Sequence, residues 1–427
     1  MRIKALRLTN FRGFKDFHLE FPKSNIAVFI GENGSGKSSL LNSMSLCLNV
    51  FVNELTQQKT TKSLFTADDI HKAATNYTIA LTIAQEAEAE ELEISWKRPS
   101  HGNIFQSAHL LNALQSQLKD EPSSSIPVMA DYPANRLIYN SDSKARLKSK
   151  NYDFSQFYAY QNAFHKELIH YEDFVTWFRL EEDLENEIIS RENRNYVSSN
   201  LKTIRTALEI FLSQLNATHF SNLRVVRERQ DANLGLRGSM SSSLEISKDG
   251  IALKIEQLSE GERAIVLIVC DIARRLTIAN PALDDPKTGH GIVLIDEIDN
   301  HLHPQWQRQI LPALTHTFPN CQFITTTHSP QVLSNLKPEE IFVLDNGKIS
   351  NNIAYSYGRD SNSILYEFMG VEKRPEWMRQ QLDRTFHLID AGNIEGAKTA
   401  IAELQKSLGQ NDPDIVKANT LLQFLYE

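Results

Sequence analysis

Alternating and wholly apolar runs divide this chain into predictable elements. Ile3 to Leu8 alternates, a turn falls near Arg12-Gly13, and Phe17-His18-Leu19-Glu20-Phe21 alternates again, so the N-terminus reads as paired strands. Ile26-Ala27-Val28-Phe29-Ile30 is apolar throughout and predicts a buried strand. A helix is expected from Ser39 to about Val50-Phe51. Thr78–Ile83 and Glu91–Trp96 alternate across an acidic connection and predict an antiparallel hairpin. Pro122–Pro127 reads as a loop and Val128-Met129-Ala130 as a short strand.

The character changes between about Asn140 and Thr218. After the polar, basic stretch Ser141–Lys150, Phe164–Ile189 and Tyr196–Leu215 carry apolar residues at helical spacing, among them Phe174, Trp177, Phe178 and Leu201, Ile204, Leu208, Phe211. This predicts a helical insertion of about two helices, too short for a long heptad coiled coil. Strand character returns at Asn222–Val226 and Leu244–Ser247, with Ser239–Ser243 read as a flexible hairpin loop. Helix 259–279, strand Gly291–Ile295, helix 304–317 and strands Gln322–Thr326 and Ile341–Leu344 follow. Strands alternating with helices imply a largely parallel sheet covered by helices. Beyond about Ser356 the chain reads as helical, and His387–Leu408 suggests a helix-turn-helix pair.

Chemistry enters at the end of the buried strand. Gly31-Glu32-Asn33-Gly34-Ser35-Gly36-Lys37-Ser38 has the spacing G-x-x-x-x-G-K-[ST], and Ser39 opens the helix behind it. Strand, glycine loop and helix N-terminus together make an anion site, because main-chain N–H groups and the helix dipole point at phosphate oxygens. Lys37 would reach the β- and γ-phosphates and Ser38 would ligate Mg²⁺. Ile292-Val293-Leu294-Ile295 ends in Asp296-Glu297. That strand would deliver Asp296 to Mg²⁺ and leave Glu297 to polarise an attacking water. The expectation is a nucleotide triphosphatase.

Composition narrows the class. The formal charge of −8 gives no global basic footprint. Cys47, Cys270 and Cys321 are scattered, with no C-x-x-C pair, which suits a reducing compartment and no zinc site. The longest apolar run, about Ala264–Cys270, is far short of the ~20 residues of a membrane span, and the alternating start shows no apolar leader core. A cytoplasmic protein without a membrane segment is expected. His301-Leu302-His303-Pro304 reads as loop followed by a helix start rather than as a metal pair.

Leu258-Ser259-Glu260-Gly261-Glu262 precedes a helix with the interior Ile265–Val269, and there the chain resembles the ABC-type ATPase superfamily. The superfamily's signature turn has Gly where this chain has Glu260 and Gln where it has Glu262, and L-S-x-G-E is typical of the SMC/RecF/OLD-like branch. A Ser at a helix N-terminus is equally a good local cap. The resemblance implies an α/β ABC-ATPase head, a P-loop mixed sheet with an antiparallel β subdomain, carrying a helical insertion and a C-terminal helical tail. It places Ser259, Gly261 and Glu262 against the γ-phosphate held by a second protomer, Asp299 in the D-loop facing that protomer, His328 as the switch histidine, and Arg12 of Asn10-Phe11-Arg12-Gly13-Phe14 beside the nucleotide. The implied cofactors are ATP and Mg²⁺. Gln85 is the candidate for the Mg²⁺-sensing glutamine, and Tyr132-Pro133-Ala134-Asn135-Arg136 matches an element of the same relatives without an assigned role.

Within the superfamily the chain lacks the transporters' membrane span, the long coiled coils of chromosome-organising proteins, and an acidic cluster on strands such as the OLD nucleases' Toprim domain requires. The compact insertion, Tyr-Pro-x-x-Arg, Asp296–Pro304 and Tyr357-Gly358-Arg359-Asp360-Ser361 resemble the Septu anti-phage ATPase family, which also occurs with retrons. That implies a homodimer or higher homo-oligomer, an HNH nuclease (PtuB-like) partner and, where a retron is present, its reverse transcriptase and msDNA. The expected divisions are an N-terminal ATPase lobe at 1–139, the insertion at 140–219, a C-terminal ATPase lobe at 220–355 and a helical region at 356–427 for assembly or docking. Two alternatives stay open. One is a RecF-like repair ATPase contacting duplex DNA directly, through Lys144, Arg146, Lys148, Lys150 and Arg224, Arg227, Arg229; the other is an ATP-binding scaffold that barely hydrolyses.

Overall fold

A computed structural model describes residues 1–57, 67–72, 74–85, 88–97, 104–106, 109–134, 155–164, 171–215, 219–230, 239–350, 356–361, 363–364, 366, 372 and 374–426. They fall into two compact units, residues 1–364 and residues 365–427. In chain order the first unit opens with β1 (Arg2–Phe11), β2 (Phe14–Glu20), β3 (Ile26–Ile30), α1 (Lys37–Leu55), β4 (Asn76–Gln85), β5 (Glu88–Lys97), β6 (Ile104–Gln106), α2 (His109–Asp120) and β7 (Val128–Tyr132). Then come α3 (Tyr171–Arg191), α4 (Ser199–Gln214), β8 (Phe220–Gln230), β9 (Ser239–Lys248), β10 (Ile251–Lys254) and α5 (Glu260–Ala279). It continues through β11 (Gly291–Ile295), α6 (Pro304–Thr317), β12 (Cys321–Thr326), the single turn α7 (Pro330–Leu333), β13 (Ile341–Asp345) and β14 (Lys348–Ile349).

The central sheet has the order β14-β13-β3-β12-β11-β7. All its pairings are parallel except the β13–β14 hairpin. Strands β3, β11 and β12 are buried at every position; β3 and β11 accordingly read as unbroken apolar runs, while β12 buries the polar Gln322 and Thr326 with hydrogen-bond partners. An antiparallel sheet, β2-β1-β4-β5-β6, forms the β subdomain, with Ile79 opposite Ile94 and Leu81 opposite Leu92 as the alternation requires. Helix α1 contacts β11 and β12 of the parallel sheet and β4 and β5 of the antiparallel one. Lying between two sheets, it is buried at 13 of 19 positions, and its polar side is a narrow stripe of Ser38, Asn42, Ser45, Asn49 and Asn53. A mostly parallel sheet joined to an antiparallel β subdomain is what the expected head fold requires.

One local reading changes. Ser239–Ser243 is not a loop: it is the first half of β9, paired with β8 from Gln230↔Ser239 onward. A run of small polar residues forms strand when a neighbouring strand supplies its ladder. The helix expected over 199–214 forms: α4 packs on both α5 and α6, with Leu201, Ile204, Leu208 and Phe211 buried. Emptying one such site, Phe211→Ala, costs about 3–5 kcal/mol. Helix α2 and strands β6 and β10 are not among the expected elements, although Leu110, Leu111, Leu114 and Leu118 of α2 stand at helical spacing.

The second unit contains helices Glu376–Asp390, Ile394–Leu408 and Pro413–Tyr426 around Met378, Leu382, Ile389, Ile401, Leu404, Ile415 and Leu422. The helix-turn-helix expected at His387–Leu408 turns at Gly392, with φ 71°, and Asn393 caps the following helix through Gly396 N–H. Arg374 holds the start of the last helix by ion pairs to Asp412 and Asp414, each at 2.7 Å. No helix among the described residues is long and apolar enough to cross a membrane.

Candidate functional site

Parallel pairing brings four strand ends to one edge. Strand β12 lies between β3 and β11, so the Gly31–Ser38 loop, Thr327-His328 and Asp296-Glu297 emerge side by side, with Tyr132-Pro133 following beyond β11. Carboxyl edges of this kind are where open α/β sheets bind ligands.

The glycines of the loop have separate reasons. A Cβ on Gly31 would lie 2.2 Å from the Leu344 carbonyl oxygen, so β13 leaves room for glycine alone. Gly36 has φ 106° and faces the Phe14 ring at 2.8 Å from a virtual Cβ. Gly36 also begins α1 without any side-chain cap, and no acidic residue occupies the first turn. The helix N-terminus therefore keeps its N–H donors available for an anion. The buried Ser35 Oγ has no hydrogen-bond partner. An uncapped helix start and a spare buried hydroxyl fit a phosphate group.

Lys37 is buried, and its Nζ donates to the carbonyls of Gly31 and Glu32, both at 2.9 Å. Burial lowers its pKa below the ordinary lysine value, opposed by the nearby charges of Asp296 and Glu297. Ser38 is exposed and Asn33 and Gly34 lie at the open tip. Arg12, at φ 49°, is bound through Nε to Asp69 at 2.9 Å, and its Nη1 reaches Ser39 Oγ at 3.5 Å. The antiparallel sheet thus places Arg12 beside the start of α1. Gln85 is not brought there: its neighbour Ala84 pairs with Arg2, at the opposite end of β1 from Arg12, about 30 Å along the strand.

Asp296 and Glu297 are knitted to the end of β12. The Thr326 hydroxyl donates to Asp296 Oδ1 and accepts from Glu297 N–H at 2.7 Å, and Thr327 donates to Asp299 Oδ1 at 2.6 Å. Glu297 sits in the left-handed region at φ 48°, an uncommon conformation for Glu that this clamp maintains. His328, the next residue, is exposed. Sequence reasoning passed over Thr326, Thr327 and Asp69; the run Thr325-Thr326-Thr327 before the histidine was the visible signal.

The signature turn is closed on itself. Ser259 caps α5, its Oγ donating to Glu262 Oε2 at 2.9 Å and accepting from Glu262 N–H, while Ser259 N–H donates to the same carboxylate at 3.1 Å. Lys248 holds the other carboxylate oxygen at 2.7 Å. Burial opposes ionisation of Glu262, but the hydrogen bonds from Lys248 and Ser259 outweigh it, and its pKa lies below the ordinary value. Gly261 is buried where a Cβ would stand 2.1 Å from the His301 carbonyl oxygen, so the turn packs on the segment after Asp296-Glu297. His301 Nδ1 lies 3.6 Å from Glu260 and His303 Nδ1 accepts from Gln305 N–H, local roles rather than metal ligation.

Of the cations proposed for DNA, Arg224 is bound to Glu245 and Arg227 to Asp183. Lys144, Arg146, Lys148, Lys150, Asn135 and Arg136 lie outside the described residues.

The family model described as "AAA domain, putative AbiEii toxin, Type IV TA system" matches residues 26–334. The chain is 28% identical to "Retron Ec83 probable ATPase" of Escherichia coli, over 98% of this chain and 86% of that one. It is 29% identical to "Retron Vc95 probable ATPase" of Vibrio cholerae serotype O1 biovar El Tor, over 84% and 75%. "Septu protein PtuA" of Bacillus mycoides (strain KBAB4) is 24% identical over 96% of this chain and 50% of its own length. The chain therefore belongs to this AAA-domain family and is similar to the retron and Septu ATPases.

Proposed function

We propose that the chain is the ATP-binding and ATP-hydrolysing subunit of a bacterial anti-phage defence system of the Septu or retron type, and that its ATP-dependent assembly gates a separate HNH nuclease. The observation that carries the reading is the single sheet edge at which the uncapped start of α1, Asp296-Glu297 and His328 meet. The resemblance to retron and Septu ATPases supplies the biological setting.

In this reading ATP phosphates lie on the Gly31–Ser39 loop, with Arg12 flanking the nucleotide. Lys37 exchanges the carbonyls of Gly31 and Glu32 for phosphate oxygens, a swap of one set of oxygen acceptors for another. Ser38 and Asp296 would hold Mg²⁺, which when bound neutralises charge on the phosphate oxygens. Glu297 takes a proton from the attacking water, and His328 orients toward the reacting phosphate. Ser259, Gly261, Glu262 and Asp299 face a second copy and complete its site, so ATP binding and assembly are linked. The 365–427 unit is the candidate for assembly or nuclease docking, and cytoplasmic action follows from this role.

Purified chain, mixed with its HNH partner, tests the reading. ATP with Mg²⁺ should raise the molar mass in light scattering and change DNA cleavage by the partner, and Lys37→Ala should lose both responses. Salt-sensitive binding of duplex DNA by the isolated chain, with no nucleotide effect on assembly, would favour the RecF-like alternative.

A further inference from the structure

Among the described residues β7 is the edge strand of the parallel sheet, with β11 on one side and, on the other, the Ala163 carbonyl accepting the Asp131 N–H at 2.8 Å. Its last two residues are nevertheless fixed on both faces. Asp131 Oδ2 accepts from Ser45 Oγ of α1 at 2.6 Å, and Tyr132 OH donates to Asp271 Oδ2 of α5 at 2.8 Å. The Tyr132 main-chain carbonyl accepts the N–H of Asp296 at 2.9 Å. The helix that follows the phosphate loop, the helix that follows the signature turn, and the first acid of the Asp296-Glu297 pair therefore converge on one dipeptide.

Behind Tyr132 stands a buried charge cluster. Asp271 pairs with Arg274 at 2.6 Å and Arg275 at 2.7 Å, and all three are no more than 6% exposed. Arg275 Nη1 continues to the carbonyls of Ala159 at 2.6 Å and Gln161 at 3.1 Å. Apolar side chains would hold a strand end at a lower desolvation cost than buried ions. Directional hydrogen bonds set a position, and the position set here is that of the carbonyl on which Asp296 hangs.

We propose that Asp131 and Tyr132 are a positioning pair for Asp296, transmitting the relative placement of α1 and α5 to the residue that holds the metal. The inference rests on the reading of Asp296 as a Mg²⁺ ligand, and it gives Tyr132 of the Tyr-Pro-x-x-Arg element a role. Neither residue touches substrate.

The experiment uses the full chain, a slowly hydrolysed ATP analogue and a Mg²⁺ titration read by thermal shift, with hydrogen exchange at the Asp296 amide as a second readout. Tyr132→Phe keeps the ring and removes the bond to Asp271. It should raise the Mg²⁺ concentration for half-maximal shift about tenfold, as loss of an outer partner of a metal ligand does. It should also speed exchange at Asp296 and leave Mg²⁺-free analogue binding intact. Ser45→Ala, which cuts the link to α1, should move both readouts the same way by less, and it decides the matter if Tyr132→Phe does not fold. An unchanged midpoint and exchange rate overturns the positioning role, as does equal loss of Mg²⁺-free binding. A wild-type chain with no Mg²⁺-dependent shift would instead remove the reading of Asp296 itself.

Discussion

Helices α1 and α5 are nearly equal in length, 19 and 20 residues, and both begin at a functional motif. They begin in opposite ways. The start of α1 has a left-handed glycine as N-cap, no capping side chain and no acidic residue in its first turn. The start of α5 has a complete capping box and two acidic residues, Glu260 and Glu262, in its first turn. One helix leaves its N–H donors and positive dipole end for an incoming anion, while the other satisfies them with its own carboxylate. To meet the nucleotide of a second copy, Ser259 would exchange the Glu262 carboxylate for phosphate oxygens. An anion site and a docking turn can thus share a helix-start architecture and differ only in what the first four residues do with the orphan donors.

The largest test of that contrast is Lys37→Ala, which removes the cation from the open end of α1. ATP turnover should fall by about 10²–10³-fold or more, and nucleotide-dependent assembly should vanish in light scattering. Assembly that survived would mean that the α1 cradle is not where nucleotide acts. Glu297→Gln should lower turnover by about 10²–10⁴-fold in a phosphate-release assay while analogue binding persists. Unchanged turnover would remove the general-base role and favour a scaffold that barely hydrolyses.

Further along α5, Asp271→Asn should cost about 3–5 kcal/mol in chemical denaturation, because it leaves Arg274 and Arg275 buried without their counterion. Burial alone would raise the Asp271 pKa, but Arg275 and Arg274 hold it well below the usual carboxylate range. Its stabilisation is therefore complete above the unfolded carboxylate pKa and is lost as the pH falls from there toward the lower folded value. The variant should lose that acid-side slope. The smallest effect is expected from Ser259→Ala, about 1 kcal/mol from loss of the cap, measured by thermal melting. It sharpens the comparison because nucleotide binding by one protomer should remain while nucleotide-dependent association weakens.

Much of this was legible in the chain because it is local. The apolar strand Ile26–Ile30 and the glycine spacing after it demand a strand, a tight loop and a helix start in succession, and Asp296-Glu297 after Ile292–Ile295 demands acids at a strand end. Ser259 and Glu262 form a capping box by spacing alone. What sequence reasoning misjudged depended on partners elsewhere. Ser239–Ser243 became strand because β8 lies beside it. Gln85 proved to lie at the far end of β1, which no count along the chain could show.

Residue spacing within a few positions thus specified the phosphate loop, the acidic pair and the signature cap, and the alternation of strands with helices specified a largely parallel sheet without its strand order. Folding decided which distant groups meet: Thr326 on Asp296, Arg12 beside Ser39, and Tyr132 joined to Asp271 across 139 residues. The physical reason is reach. Helix and strand periodicity and capping act over neighbouring residues, whereas a side-chain hydrogen bond across a sheet exists only once strand order has brought its two ends within 3 Å or so.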